Sequence, residues 1–145
     1  MNLVEEVTIS PVAVLVPNRG KGITYACKYP NYQLGICHVQ FHPLDYFSQQ
    51  SIHREIYEVI LKKKLEATDL LAEITTFYPY TNKEPARLPR RKDGVGSKVL
   101  EYILKDAFTE RAKAIIVETD SPSMREFLED KKFQNAGSFY YRLTP

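Results

Sequence analysis

Cysteine, glycine and long apolar runs are all scarce in this sequence. Its 145 residues include two cysteines, Cys27 and Cys37. They read as half-buried thiols of a reducing cytoplasm, with one disulfide still compatible. They also lack the paired short spacing of a structural zinc site. His38 and His42, on one face of a strand with Gln40 between them, do not complete one, so no metal is expected. No stretch is long and apolar enough to span a bilayer. Glu5 and Glu6 precede the short apolar run Val12 to Pro17, which is not the basic start and long apolar core of an export signal. A cytoplasmic protein with no membrane partner is expected. A large excess of one charge is missing too: the net charge is +2. That disfavours nucleic acid, which usually demands a heavily basic face. Repeats and low-complexity segments are absent.

What is present is ordinary for a globular chain: 43% hydrophobic and 26% charged residues. The length predicts one domain, 1–145, around a single core. Val12 to Val16 reads as a strand, Asn18 to Gly22 as a turn, and Ile23 to Tyr29 as a second strand. Pro30-Asn31 breaks the chain, Tyr32 to Phe41 alternates as a third strand, and His42-Pro43 stops it. Ile52, Ile56, Val59 and Ile60 share one helical face, predicting a helix from Ser51 to Ala67. Leu70 to Tyr78 is β-prone, and Thr81 to Pro89 carries two prolines and reads as a loop. Val95, Val99, Leu100, Ile103, Leu104, Ala107 and Phe108 have the spacing of an amphipathic helix. Ala114 to Thr119 reads as a buried strand. Ser121 and Pro122 then suit the N-cap and first position of a last helix, with Met124, Phe127 and Leu128 facing inward. Phe133 to Leu143 closes the chain as one or two strands. The expected class is α/β (α+β), with a mixed central β-sheet flanked by helices.

The stretch Arg91-Lys92-Asp93-Gly94-Val95-Gly96-Ser97 is the chemically richest. It joins a strand-and-loop segment to a helix start, where the first backbone N–H groups lack intrahelical partners and the macrodipole is positive. Anions bind there, phosphate foremost. A Walker A loop needs Gly-x-x-x-x-Gly-Lys-Ser/Thr, and Gly94-Val95-Gly96-Ser97-Lys98 has the wrong spacing and order. A Rossmann fingerprint needs a third glycine where Val99 stands. A similar-looking run, Arg19-Gly20-Lys21-Gly22, leads into the β-prone Thr24 to Cys27 and so reads as a hairpin turn without the helix N–H groups.

From about Glu73 to Leu143, roughly half its length, the chain resembles the GCN5-related N-acetyltransferase (GNAT) family. Arg91, Gly94 and Gly96 match the fixed positions of that family's Arg/Gln-x-x-Gly-x-Gly/Ala loop. Phe127 to Phe133 is similar to its Phe-Tyr-x-x-x-Gly-Phe ending. The resemblance implies a single-domain acyl-CoA N-acyltransferase-like fold whose divergent N-terminal half precedes the coenzyme A site. It implies acetyl-CoA as co-substrate, with Thr76, Phe77, Arg91, Lys92, Asp93, Gly94, Val95, Gly96, Ser97 and Ser121 binding it. The acetyl group would pass by direct attack to a primary amine of a small-molecule or protein acceptor. A homodimer is compatible with this reading.

The departures from the family matter as much. Leu128 stands where the family often has its acid, a tyrosine, and cannot give a proton. Lys132 replaces a glycine, at a cost of about 1 kcal/mol if the helix ends in a left-handed cap. Candidate catalytic residues are Glu73 as base and Tyr140 as acid, with Glu118, Tyr78 and Tyr141 behind them. The alternative is a non-catalytic acyl-CoA-binding sensor or interaction module. A third reading, single-stranded nucleic acid on the Arg87 to Lys92 cluster, predicts salt-sensitive affinity and indifference to coenzyme A.

Overall fold

A computed structural model of the chain describes residues 7–16, 20–29, 32–48, 54–61, 65–79 and 94–144. Four helices and seven strands follow the order β1 (Thr8–Val16), β2 (Gly20–Tyr29), β3 (Tyr32–Pro43), α1 (Leu44–Ser48), α2 (Arg54–Leu61), β4 (Leu70–Tyr78), α3 (Val95–Thr109), β5 (Ala114–Glu118), α4 (Pro122–Asp130), β6 (Gln134–Ala136) and β7 (Phe139–Leu143). The strands form one mixed sheet in the order β1-β2-β3-β4-β5-β7-β6. The mixed α/β class expected from the sequence is therefore the observed one. Two compact units divide the chain: Met1–Gln40 with Thr75–Asp106, and Phe41–Ile74 with Ala107–Pro145.

In the first unit β1, β2 and β3 form antiparallel ladders. Strict alternation buries Ile23, Tyr25 and Cys27 of β2 and Cys37 and Val39 of β3 on one face. Helix α3 buries Val95, Val99, Leu100 and Ile103, the stripe its sequence spacing predicts. Tyr25 is fully buried, and its hydroxyl donates to Asp106 Oδ2 of α3 at 2.8 Å, so β2 holds the helix by a polar as well as an apolar contact. Lys98 Nζ donates to the Val7 carbonyl at 2.6 Å, fixing the start of β1 to the same helix. Pro11 sits in β1, the edge of the sheet, where a missing N–H costs no ladder bond. The run after Gly22 is strand, as expected, and not a second helix start; Asn18 and Arg19 lie outside the described residues.

In the second unit Leu44 and Phe47 of α1 and Ile56 of α2 pack with Leu71, Ala114, Ile116, Ala136, Phe139 and Tyr141 of the strands. The expected helix from Ser51 to Ala67 is shorter in the structure: α2 spans Arg54–Leu61, and 65–69 is not helical. Glu66 N–H donates to Asp69 Oδ2 at 2.7 Å, closing a turn. The Ala67 and Asp69 carbonyls accept from Asp45 and Leu44, the first N–H groups of α1, so this segment serves as the cap of another helix. Helix α1 was not anticipated, and His42-Pro43 ends β3 from within it. Phe108, placed in the apolar stripe of α3, is 61% exposed because the helix finishes one residue later.

Both C-terminal helices end with a left-handed residue that is not glycine. After α4, Lys132 (φ 73°) donates its N–H to Glu129 O and Phe133 donates to Leu128 O, at 3.1 and 2.9 Å. This is a Schellman ending, and its apolar pair, Leu128 and Phe133, is buried. After α3, Arg111 (φ 64°) bonds Phe108 O and Ala112 bonds Ala107 O in the same pattern. The left-handed cap on which the cost at Lys132 is conditional is present.

Candidate functional site

The geometry at the start of α3 begins with Gly94. Its φ of +89° is a left-handed backbone that side-chain-bearing residues rarely adopt, and a Cβ there would meet nothing within 4 Å. The peptide plane so turned lets Gly94 O accept the first helical bond, from Lys98 N at 3.0 Å. The N–H groups of Val95, Gly96 and Ser97 then have no intrahelical acceptor. Val95 is fully buried and pins the turn, while Gly96 and Ser97 are half-buried. No acid occupies the first turn of α3, so its positive end is not neutralised from within. Arg91, Lys92 and Asp93 lie outside the described residues, as do Arg87 and Arg90.

Strand β4 passes from one unit to the other at Ile74–Thr75. Its parallel ladder with β5 runs from Leu71–Ala114 to Ile74–Val117, and β4 continues for four more residues. In those four, Thr76 and Phe77 are half-buried and Tyr78 is 69% exposed. Thr75 Oγ1 donates to the His38 carbonyl of β3 at 3.4 Å.

Register decides how the two sequence-predicted catalytic residues relate. Glu73 stands opposite Ile116, and Ile116 opposite Tyr141, so Glu73 shares a face with Tyr141. Tyr140, one residue earlier, points to the other face. The structure therefore brings Glu73 into one row with Tyr141 and separates it from Tyr140. Tyr140 is buried against α4: its hydroxyl donates to Glu129 Oε1 at 3.1 Å and accepts from Arg125 Nε at 3.2 Å. The Arg125 guanidinium also lies 5.7 Å from the Tyr140 ring centroid, a cation–π distance. Leu128 is fully buried, so the phenol that meets α4 comes from β7 and not from the helix itself. Tyr141 donates to Gln134 Oε1 at 2.8 Å. Glu118 is exposed at the end of β5.

Ser121 caps α4 as its sequence predicts, accepting from Met124 N at 3.4 Å, with Pro122 in the first turn. Its Oγ also lies 3.1 Å from Ser123 Oγ.

The cysteines differ from expectation in burial: both are fully buried, free thiols on neighbouring strands. The Cys37 thiol donates to Cys27. That bond, burial and the adjacent sulfur drive Cys37 far above the ordinary thiol range, against a backbone bond at Tyr78. The same hydrogen bond lowers Cys27, against burial.

Sequence reasoning passed over the pairing of His38 with Thr24. Thr24 Oγ1 lies 2.9 Å from His38 Nδ1, directly across the β2–β3 ladder. A regular hairpin about Pro30-Asn31 would set Thr24 opposite Cys37. A bulge at Cys27/Lys28 shifts the register by one and brings His38 across instead. Among the described residues no group of three or more metal-ligating side chains occurs. None of the described helices is long and apolar enough to cross a membrane.

No family model matches the sequence, and no curated protein matches it in sequence. Solved structures do match its fold. FeeM, an N-acyl amino acid synthase from uncultured soil microbes, aligns with 86% of this chain and 70% of its own at TM-score 0.62 and 14% identity. Arabidopsis thaliana NAA60 in complex with acetyl-CoA aligns with 94% of this chain and 98% of its own, at TM-score 0.59 and 10% identity. A GNAT family acetyltransferase from Elizabethkingia anophelis with acetyl-CoA bound covers 90% and 77%, at TM-score 0.52 and 15% identity.

Proposed function

We propose that this chain, which has the fold of the GNAT acetyltransferases, is an acetyl-CoA-dependent N-acetyltransferase acting on a primary amine. The observation that carries the reading is Gly94 at φ +89°, opening α3 on a fold two of whose solved neighbours hold acetyl-CoA. In this reading the pyrophosphate lies on the N–H groups of Val95, Gly96 and Ser97, with Arg91 and Lys92 adding charge and Asp93 completing the loop. Thr76 and Phe77 hold the pantetheine arm through their backbone and polarise the thioester carbonyl. Thr76, Phe77, Gly94, Val95, Gly96 and Ser97 fall in one compact unit, which supports a coenzyme site organised by β4 and α3, and Ser121 falls in the other.

The chemistry is direct attack of an amine on the thioester, with proximity supplying much of the rate. Glu73 is the base suggested by its place on β4. Tyr140 is the acid suggested by the sequence, on the opposite sheet face from Glu73 and with its hydroxyl held between Glu129 and Arg125. Leu128, buried where a tyrosine would serve, favours a second reading, a coenzyme-binding module without catalysis. Thiol release from acetyl-CoA with agmatine, L-leucine and a tetrapeptide bearing a free α-amine separates the two. Release that depends on amine supports the enzyme; stabilisation by acetyl-CoA without release with any of them leaves the module.

A further inference from the structure

We propose that His38, in place of the Glu73 suggested by the sequence, is the general base that takes the proton from the acceptor amine, with Thr24 orienting its ring. The inference rests on the acyl-transfer reading above and deepens it. A primary amine is mostly an ammonium ion near neutral pH, so the nucleophile appears only when a base removes a proton. Imidazole is the side chain suited to that exchange at such pH.

His38 is half-buried on β3, and among the described residues Thr24 Oγ1 is the partner of its ring. In the proposed tautomer Nδ1–H donates to the Thr24 oxygen, so that Nε2 carries the lone pair. When Nε2 takes a proton, Nδ1–H keeps the same acceptor, so the threonine oxygen stabilises the imidazolium without rearrangement. The backbone of His38 is bonded to Thr75. Its strand is thus the neighbour, about 4.8 Å away, of the β4 segment assigned to the thioester. All of these residues belong to one compact unit.

Ladder register and strand alternation place Ser10, Val12, Thr24, Ala26, Lys28, Ile36, Gln40 and His42 on the same face as His38. Of the groups on this face Lys28 is charged and His42 titratable, and on β4 Glu73 alternates with Thr75 and is charged. In the reaction the amine nitrogen forms a bond to the acetyl carbon and gives its proton to Nε2. The C–S bond breaks with its electron pair on sulfur, and the thiolate takes up a proton to leave as the free thiol.

The test compares wild type with H38Q, T24V and H38Q/T24V, using acetyl-CoA with agmatine and with a free-amine tetrapeptide. H38Q should lower kcat/KM by about 100-fold or more and abolish the fall of kcat/KM on acidification, while acetyl-CoA still raises its melting temperature. T24V, which leaves the ring without its partner, should lower kcat while acetyl-CoA still raises the melting temperature, and H38Q/T24V should be no slower than H38Q alone. Unchanged kcat/KM in a folded H38Q that still binds acetyl-CoA overturns the proposal. So does an acid limb that survives in H38Q and disappears in E73Q, and so does a wild type that binds acetyl-CoA but releases no thiol with either amine. A wild type that acetyl-CoA does not stabilise at all fails earlier, at the coenzyme reading.

Discussion

Replacing Lys132 with glycine should stabilise the protein. Lys132 holds φ at 73° so that its own N–H and that of Phe133 can satisfy the last carbonyls of α4. Those two bonds are backbone bonds and survive the substitution. What disappears is the clash of a Cβ in left-handed backbone, worth about 1–2 kcal/mol. Against this, glycine makes the unfolded chain freer by about 0.4–1 kcal/mol. The Lys132 side chain is exposed, so little packing is lost. The net gain is about 0.5–1 kcal/mol. With an unfolding entropy of about 2.1 cal/mol/K per residue over 145 residues, that gain raises Tm by about 2–3 °C. K132A is the control, because it removes the charge and keeps the Cβ, and its Tm should stay at the wild-type value. Calorimetry or urea unfolding reads both. A K132G variant no more stable than K132A would refute the strain argument.

Two further outcomes follow from the same coordinates. S121A removes the N-cap acceptor of α4 and should cost about 1 kcal/mol, or about 3 °C in Tm without ligand; an unchanged Tm would leave the cap without energetic weight. Cys27 and Cys37, fully buried and hydrogen-bonded to each other, should resist an aromatic disulfide reagent in the native protein and react only on unfolding. Rapid native labelling of either would contradict the burial.

The sequence was most legible where one signal acted alone. Leu70 to Tyr78 is strand over the whole predicted range, and Ser121-Pro122 opens α4 as the capping chemistry requires. Helix α3 starts at Val95, where the apolar spacing begins. Legibility failed where a local pattern competed with a distant partner. Helix α1 has five residues, too few to show a period, and depends on carbonyls of 67 and 69 that lie beyond α2. The same segment removes Ala67 from the predicted helix. The face assignment of Glu73 and Tyr140 needed the β5–β7 register, and the Thr24–His38 pair needed a bulge that no residue type announces. Of the glycine loop, Gly94 to Ser97 opens a helix as its sequence pattern implies, and Arg91 to Asp93 fall outside the described residues.

The central claim is that the start of α3 holds acetyl-CoA. Thermal unfolding with acetyl-CoA, with coenzyme A and without ligand tests it most directly, in wild type and in a variant with Gly96 replaced by phenylalanine. At about a hundred times the dissociation constant, bound ligand stabilises the fold by about 2.7 kcal/mol, which is a rise of about 9 °C at the entropy used above. Wild type should show that rise and the Gly96 variant should lose it. No rise in wild type at millimolar acetyl-CoA would contradict the account.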